Sequence, residues 1–215
     1  LTLTGTGYRG AAAVSMTTDQ STLVVTGSDD HMTPAWLWRL TDGEEAVKTP
    51  LLREDAFSYL PLPVQKRLDK LPDNRDLSLV SVIDNLSNSE FDQVRKQKRR
   101  IPDVTTVVFS PGGNHFLIGN TQGDCFVYQI DPETHLPSKL AYKCRLGSSI
   151  TCAAFLPSGE SFIAASDMGQ IRIWDTTTGT LESNFSVNVS GPVTAMAVSK
   201  TDSPCRLLVG HAPVK

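Results

Sequence analysis

The sequence predicts an all-β fold of repeated four-stranded antiparallel units, interrupted by one helical insertion. Three observations point that way: short apolar runs recur at strand length between Gly- and Pro-rich turns, one long stretch repeats itself without a gap, and a middle tract changes to helical spacing. Set VVFSPGGNHFLIGNTQGDCFVYQI against AAFLPSGESFIAASDMGQIRIWDT. Phe109 falls on Phe155, Pro111 on Pro157, Gly113 on Gly159, Phe116 on Phe162, Gly123 on Gly169, Val127 on Ile173 and Tyr128 on Trp174, each 46 residues on. A third copy, PVTAMAVSKTDSPCRLLVG, puts Val198 in the place of Phe155, 43 residues later. A front copy, AAAVSMTTDQSTLVVTGSDD, has Met16 in that place and WLWR around Trp38 to close it. A period of about 40–45 residues is that of one four-stranded propeller blade. Met16 and Phe109 are 93 residues apart, so one spacing carries an insertion.

Taken in chain order, residues 1–43 form the front unit, 44–100 the insertion, and 101–215 two further units with the start of the next. LTLTGTGYRG contains Gly5-x-Gly7-x-x-Gly10, and Asp29 follows LVVTG. That spacing matches a dinucleotide-binding fingerprint, whose glycines let pyrophosphate approach a helix N-terminus while the acid holds the ribose. The reading needs AAAVSMTTDQS to be a helix, yet this segment carries no long apolar stripe and fits the repeat register. The competing reading makes these glycines a turn between units. The junction DDHMTPAW is longer than a unit's usual turn, and residues are expected to be missing there.

Within the insertion, DLSLVSVIDNL sets Leu79, Val82 or Ile83, and Leu86 at three-and-four spacing, a helical face. Ser87-x-x-Glu90 offers a capping box to a second helix carrying Phe91 and Val94. SYLPLPVQKRLDKLP, with Leu60, Leu62, Val64 and Leu68, predicts a short helix between Pro-marked turns. The insertion ends in a basic tract of Arg95, Lys96, Lys98, Arg99 and Arg100. Such a tract is a solvated helix end, a nuclear import signal or a contact for RNA phosphates, and its lack of interleaved aromatics argues against base stacking.

Beyond the insertion, Val104, Thr106 and Val108 alternate with Thr105, Val107 and Phe109, and both sets suit an inner strand buried on two faces. HFLIGN and SFIAAS are apolar runs at strand length, bounded by Gly-Gly and Ser-Gly. Pro111-Gly112-Gly113 and Pro157-Ser158-Gly159 are turn chemistry: Pro presets the first dihedral and Gly accepts a positive one. IRIWD alternates, with Ile171 and Ile173 inward and Arg172 outward, and Trp174 is expected to pack between sheets.

The stretch IAASDMGQIRIWDTTTG, with its neighbours, resembles the WD-repeat β-propeller family over about 1–43 and 101–210. The resemblance implies a propeller of four-stranded antiparallel blades, about three to four of them here, acting as a binding scaffold. It also marks departures. The family's buried hydrogen-bonded set joins a His, a Ser or Thr, a turn Asp and the Trp. In this chain Leu146 and Val189 stand at the His place, Met168 at the turn-Asp place beside Ser166 and Trp174, and Tyr128-Gln129 replaces Trp-Asp in the second blade. Apolar packing must therefore hold these blades together. A ring needs at least four blades, so the chain is expected to be a fragment, to lack loops, or to have its ends covered by partners; it also lacks a starting Met.

Composition bounds the rest. Of 215 residues, 40% are hydrophobic and 20% charged, with a formal charge of −3, an ordinary globular balance with no bulk attraction for nucleic acid. No apolar run approaches a membrane span, and the N-terminus lacks a secretion signal. Cys125, Cys144, Cys152 and Cys205 lack CxxC spacing and are expected free and reduced, pointing to an intracellular setting, nuclear or cytoplasmic. His31, His115, His135 and His211 are scattered, so no metal site is expected; no catalytic motif, cofactor or small-molecule substrate is expected either. The expected function is a non-enzymatic scaffold binding other proteins of a multi-subunit complex, with RNA contact through the basic tract and a dinucleotide enzyme as alternatives. On the family's pattern the propeller-rim residues are Tyr8, Arg9, Gln122, Asp124, Asp167, Met168 and Ser190.

Overall fold

The structure, a computed structural model, describes residues 11–19, 22–27, 36–39, 47–50, 62, 66, 87, 89, 102–133, 137–201 and 203–213. It is built from strands, with helix among the described residues at Leu62, Lys66 and Ser89 alone. The first unit is β1 (Ala11–Met16), β2 (Thr22–Gly27), β3 (Trp36–Arg39) and β4 (Val47–Pro50). The second is β5 (Val104–Phe109), β6 (His115–Asn120), β7 (Asp124–Ile130) and β8 (Pro137–Arg145). The third is β9 (Ile150–Phe155), β10 (Ser161–Ser166), β11 (Gln170–Asp175) and β12 (Leu181–Asn188), followed by a hairpin of β13 (Val193–Val198) and β14 (Leu207–His211). Each unit is an antiparallel meander in chain order. Neighbouring units meet through their first strands, β1 against β5, β5 against β9, and β9 against β13. Closure into a ring is not seen among the described residues.

Strand register carries the repeat. In all four units the residue at the shared position pairs with the same place on the next strand: Met16 with Leu23, Phe109 with Phe116, Phe155 with Phe162, Val198 with Leu207. The third strand obeys the same frame, pairing Leu23 with Trp38, Phe116 with Tyr128 and Phe162 with Trp174. Each first strand also opens with a register shift. At that shift Thr105, Thr151 and Thr194 donate their hydroxyls to the carbonyls of Gly119, Ala165 and Gly210 at 3.1, 3.3 and 3.2 Å. A bulge leaves one residue outside the ladder, and the threonine side chain bridges that gap.

The core lies between sheets. Val104, Val107, Phe116, Ile118, Phe126, Tyr128 and Ile130 face the first unit, where Ala13 of β1 packs on them. Leu117, Val127, Leu146, Ile150, Phe155, Phe162 and Trp174 fill the space between the second and third units. Ile163, Ala165, Ile171 and Val193 do so between the third unit and the hairpin. Fully burying a ring such as Phe116 or Phe162 contributes about 2–3 kcal/mol. As expected for an inner strand, β5 is buried or half-buried on both faces. Ile171 and Trp174 turn inward and Arg172 and Ile173 are half-buried, so IRIWD is more enclosed than its alternation indicated. The departure is greater at Met16, which is 46% exposed, whereas its counterpart Phe155 is 7% exposed. Among the described residues no preceding unit packs on that face of β1.

At the front of the chain an alternative reading is excluded and one boundary changes. The helix needed for dinucleotide binding is a strand: Ala11–Met16 pairs antiparallel with β2, and a βαβ unit would have required a helix and parallel strands. Gly5, Gly7, Gly10 and Asp29 themselves lie outside the described residues. The boundary changes at β4, whose Val47–Pro50 falls inside the range 44–100 assigned to the insertion. It is a four-residue outer strand paired on one side, ending in a proline that edge strands tolerate. Of the helix expected around Leu60 to Leu68 the described residues include Leu62 and Lys66, both helical, and of the expected cap Ser87 and Ser89; Leu79 to Leu86, Phe91 to Val94 and the basic tract Arg95 to Arg100 lie outside them.

Candidate functional site

One end of the sheets is made by the turns β6–β7 and β10–β11 and by the linkers leading into β9 and β13. These segments are locked by a joint that occurs twice. Asn120 Oδ1 accepts the Gln122 and Asp124 amides at 2.9 and 3.0 Å, and Ser166 Oγ accepts those of Met168 and Gln170 at 3.3 and 3.2 Å. The turns then close on Gly123 (φ 83°) and Gly169 (φ 76°). Their carbonyls accept the Leu146 and Val189 amides at 2.8 and 2.9 Å. A Cβ at Gly123 would meet the Ser148 backbone, and one at Gly169 the backbone of Val189 and Gly191. Only glycine fits both the dihedral and the approach. A further pair ties each turn to the strand start: the Thr121 amide donates to Asp103 O at 2.9 Å and the Asp167 amide to Ser149 O at 3.0 Å.

The side chains left on this rim are those of the turn tips. Gln122 and Asp167 are exposed, Met168 is 70% exposed, and Ser190 stands exposed on the linker bonded to the Met168 turn. Asp167, Met168 and Ser190 thus share one joint, and Gln122 occupies the tip of the neighbouring unit at the position equivalent to Met168. Asp124 differs. It is 6% exposed, with Oδ2 3.0 Å from Lys143 Nζ and Oδ1 3.7 Å from Arg145 Nε, and Lys143 also lies 5.0 Å over the Phe126 ring. Its carboxylate is turned into the sheet and ion-paired, so it is not displayed to a partner. Alternation could have shown this, because Asp124 sits two residues before the buried Phe126. Tyr8 and Arg9 lie outside the described residues.

Apolar residues occupy the places where the family carries polar ones. Leu146 is buried and Val189 half-buried where a His would stand, and each packs into an inter-sheet cluster. Met168, at the turn-Asp place, points to solvent and gives Ser166 no side-chain partner; the Ser166 hydroxyl serves the turn amides instead. At the opposite end, Asp175 Oδ1 accepts the Thr177 and Thr178 amides at 2.9 and 2.7 Å and the Thr178 hydroxyl at 2.9 Å. Those bonds, led by the Thr178 amide, hold its carboxyl below the usual range. Tyr142 joins the second and third units there, its hydroxyl donating to Thr176 O at 2.7 Å, and burial raises its phenol. Sequence reasoning missed Tyr142 and the three bridging threonines. The threonines carried a signal, since VTTVVF, ITCAAF and VTAMAV each place Thr second.

Residues 140–175 match the family described as WD domain, G-beta repeat. No curated protein matches the chain. The matched segment runs from β8 through β11, so the sequence repeat begins on the last strand of one sheet and crosses the linker into the next. The repeated register and the aromatic stack at Trp174 agree with this match, which supports a WD repeat over residues 140–175.

Proposed function

We propose that this chain is a non-enzymatic protein-interaction scaffold, a WD-repeat subunit of a larger intracellular complex. Its docking surface is the rim carrying Gln122, Asp167, Met168 and Ser190. The observation that supports this most is the division of labour at the joint: buried backbone bonds and close glycine packing fix the turns, while the tip side chains take no part in holding the sheets together. Met168 is an exposed, flexible apolar side chain suited to packing on a partner's surface. Replacing both Asp167 and Met168 with Ala should leave the thermal midpoint unchanged. Recovery of partners from native extract should fall about tenfold, the loss of roughly one anchor side chain. Equal recovery by the variant and the parent chain would overturn the assignment.

A second reading uses the five cations between Arg95 and Arg100 as an RNA contact. Its mark is steep salt dependence of RNA binding, removed when the five are replaced by Gln.

A further inference from the structure

Cys125 and Cys144 face each other across the ladder between β7 and β8. Their side chains enter the same buried cluster, and both are free thiols. The Leu146 amide donates to Gly123 O at 2.8 Å, so counting pairs along the strands makes Cys125 and Cys144 a hydrogen-bonded pair as well. Such pairs hold their Cα atoms about 5.5 Å apart, inside the Cα span of about 4.4–6.8 Å that a disulfide bridges; their Cβ atoms also stand about 5.5 Å apart, so closing the bond must draw β8 toward β7 by about 1 Å. The Cys144 thiol lies 3.9 Å from the Cys125 carbonyl, to which it donates. Strand β8 is the outer strand of its sheet, paired on one side with β7.

We propose that Cys125 and Cys144 are a redox pair, closing into a disulfide that pins β8 to β7 beside the rim when the chain meets a small-molecule disulfide such as oxidised glutathione. The reaction starts at Cys144, which is 8% exposed, whereas Cys125 is fully buried. Its hydrogen bond with Cys144 and its burial hold the Cys125 thiol well above the ordinary range, so it is unreactive while the sheet is closed. When β8 frays, the Cys144 thiolate attacks one glutathione sulfur, forming a mixed disulfide and releasing one glutathione thiolate. Cys125, as its thiolate, then attacks Cys144 Sγ, forming the Cys125–Cys144 bond and expelling the second glutathione thiolate. The two cysteines are oxidised, one glutathione disulfide is reduced, and the two cysteine protons pass to the two released thiolates.

The test uses the full chain with the exposed Cys205 replaced by Ser, incubated with oxidised glutathione under native conditions. Alkylation in denaturant, digestion and mass mapping follow. The expected result is a fall from three alkylatable thiols to one, Cys152, with Cys125 and Cys144 in one linked peptide pair that dithiothreitol releases. In the Cys125→Ser version the reaction should stop at a glutathione adduct on Cys144. A linked peptide joining Cys152 to either residue overturns the proposal. So does a stable adduct on Cys144 beside an alkylated Cys125, or full alkylation of both, and these readings of the parent pair stand whether or not the Ser version folds.

Discussion

The second and third units are the same object written in different residues. Phe116 stacks on Tyr128 with centroids 4.9 Å apart at 10°, and Phe162 on Trp174 at 5.3 Å and 12°. Phe109 tilts against Phe116 at 5.8 Å and 53°, and Phe155 against Phe162 at 5.9 Å and 56°. The geometry of the three rings survives exchange of Trp for Tyr. At the rim, Asn120 and Ser166 accept the same two amides with an amide oxygen and a hydroxyl. The units diverge at the far turn: in the third unit Asp175 gathers three donors, and in the second Asp131 accepts the Glu133 amide at 2.8 Å. What is preserved is a set of positions for an aromatic stack, a double acceptor and a glycine. The Trp of the Trp-Asp pair is one way of filling the first of them, and its Asp belongs to the turn where the units differ.

Breaking the aromatic stack should have a large effect in either unit. Trp174→Ala and Tyr128→Ala are each expected to lower stability by about 3–5 kcal/mol in urea unfolding, through lost burial and a cavity. A much milder Tyr128→Ala would break the equivalence. Next come the double acceptors. Ser166→Ala and Asn120→Ala each orphan two turn amides and should cost about 1–3 kcal/mol, and Asn120→Ser should recover part of that loss. Failure of Ser to rescue would mean that Asn120 does something Ser166 does not.

The smallest effect separates the units by pH. The Asp175 carboxyl is depressed in the folded chain, so its stabilisation is fully present above the unfolded value of about 4 and fades as pH falls through the folded one. Thermal midpoints of the parent chain should therefore drop slightly more than those of Asp175→Asn between neutral and acid pH. Parallel pH curves would show that the three donors at Asp175 add nothing beyond turn geometry.

The repeat frame was legible because register follows from side-chain alternation and turns. Phe109, Phe155 and Val198 keep their phase, and glycines stand where the chain must turn tightly. Outer strands were harder to read, since β4 pairs on one side and its VKTP carries a single apolar residue. Asp124 was misplaced for a related reason. The family's pattern put it on the rim, whereas it is buried and ion-paired with Lys143 and Arg145 on the adjacent strand, partners 19 and 21 positions away that the turn's own residues do not reveal. Tyr142 escaped notice because its partner Thr176 belongs to the next unit.

Thermal unfolding of Gly123→Ala, Gly169→Ala and Gly113→Ala, side by side, tests the repeated joint most directly. All three glycines have positive φ, but only the first two would drive a Cβ into neighbouring backbone; at Gly113 the nearest atom is 3.7 Å away. The expected losses are about 3 kcal/mol or more for Gly123→Ala and for Gly169→Ala, against about 1 kcal/mol for Gly113→Ala. A Gly169→Ala chain as stable as Gly113→Ala, with Gly123→Ala far less stable, would contradict a joint shared by the two units.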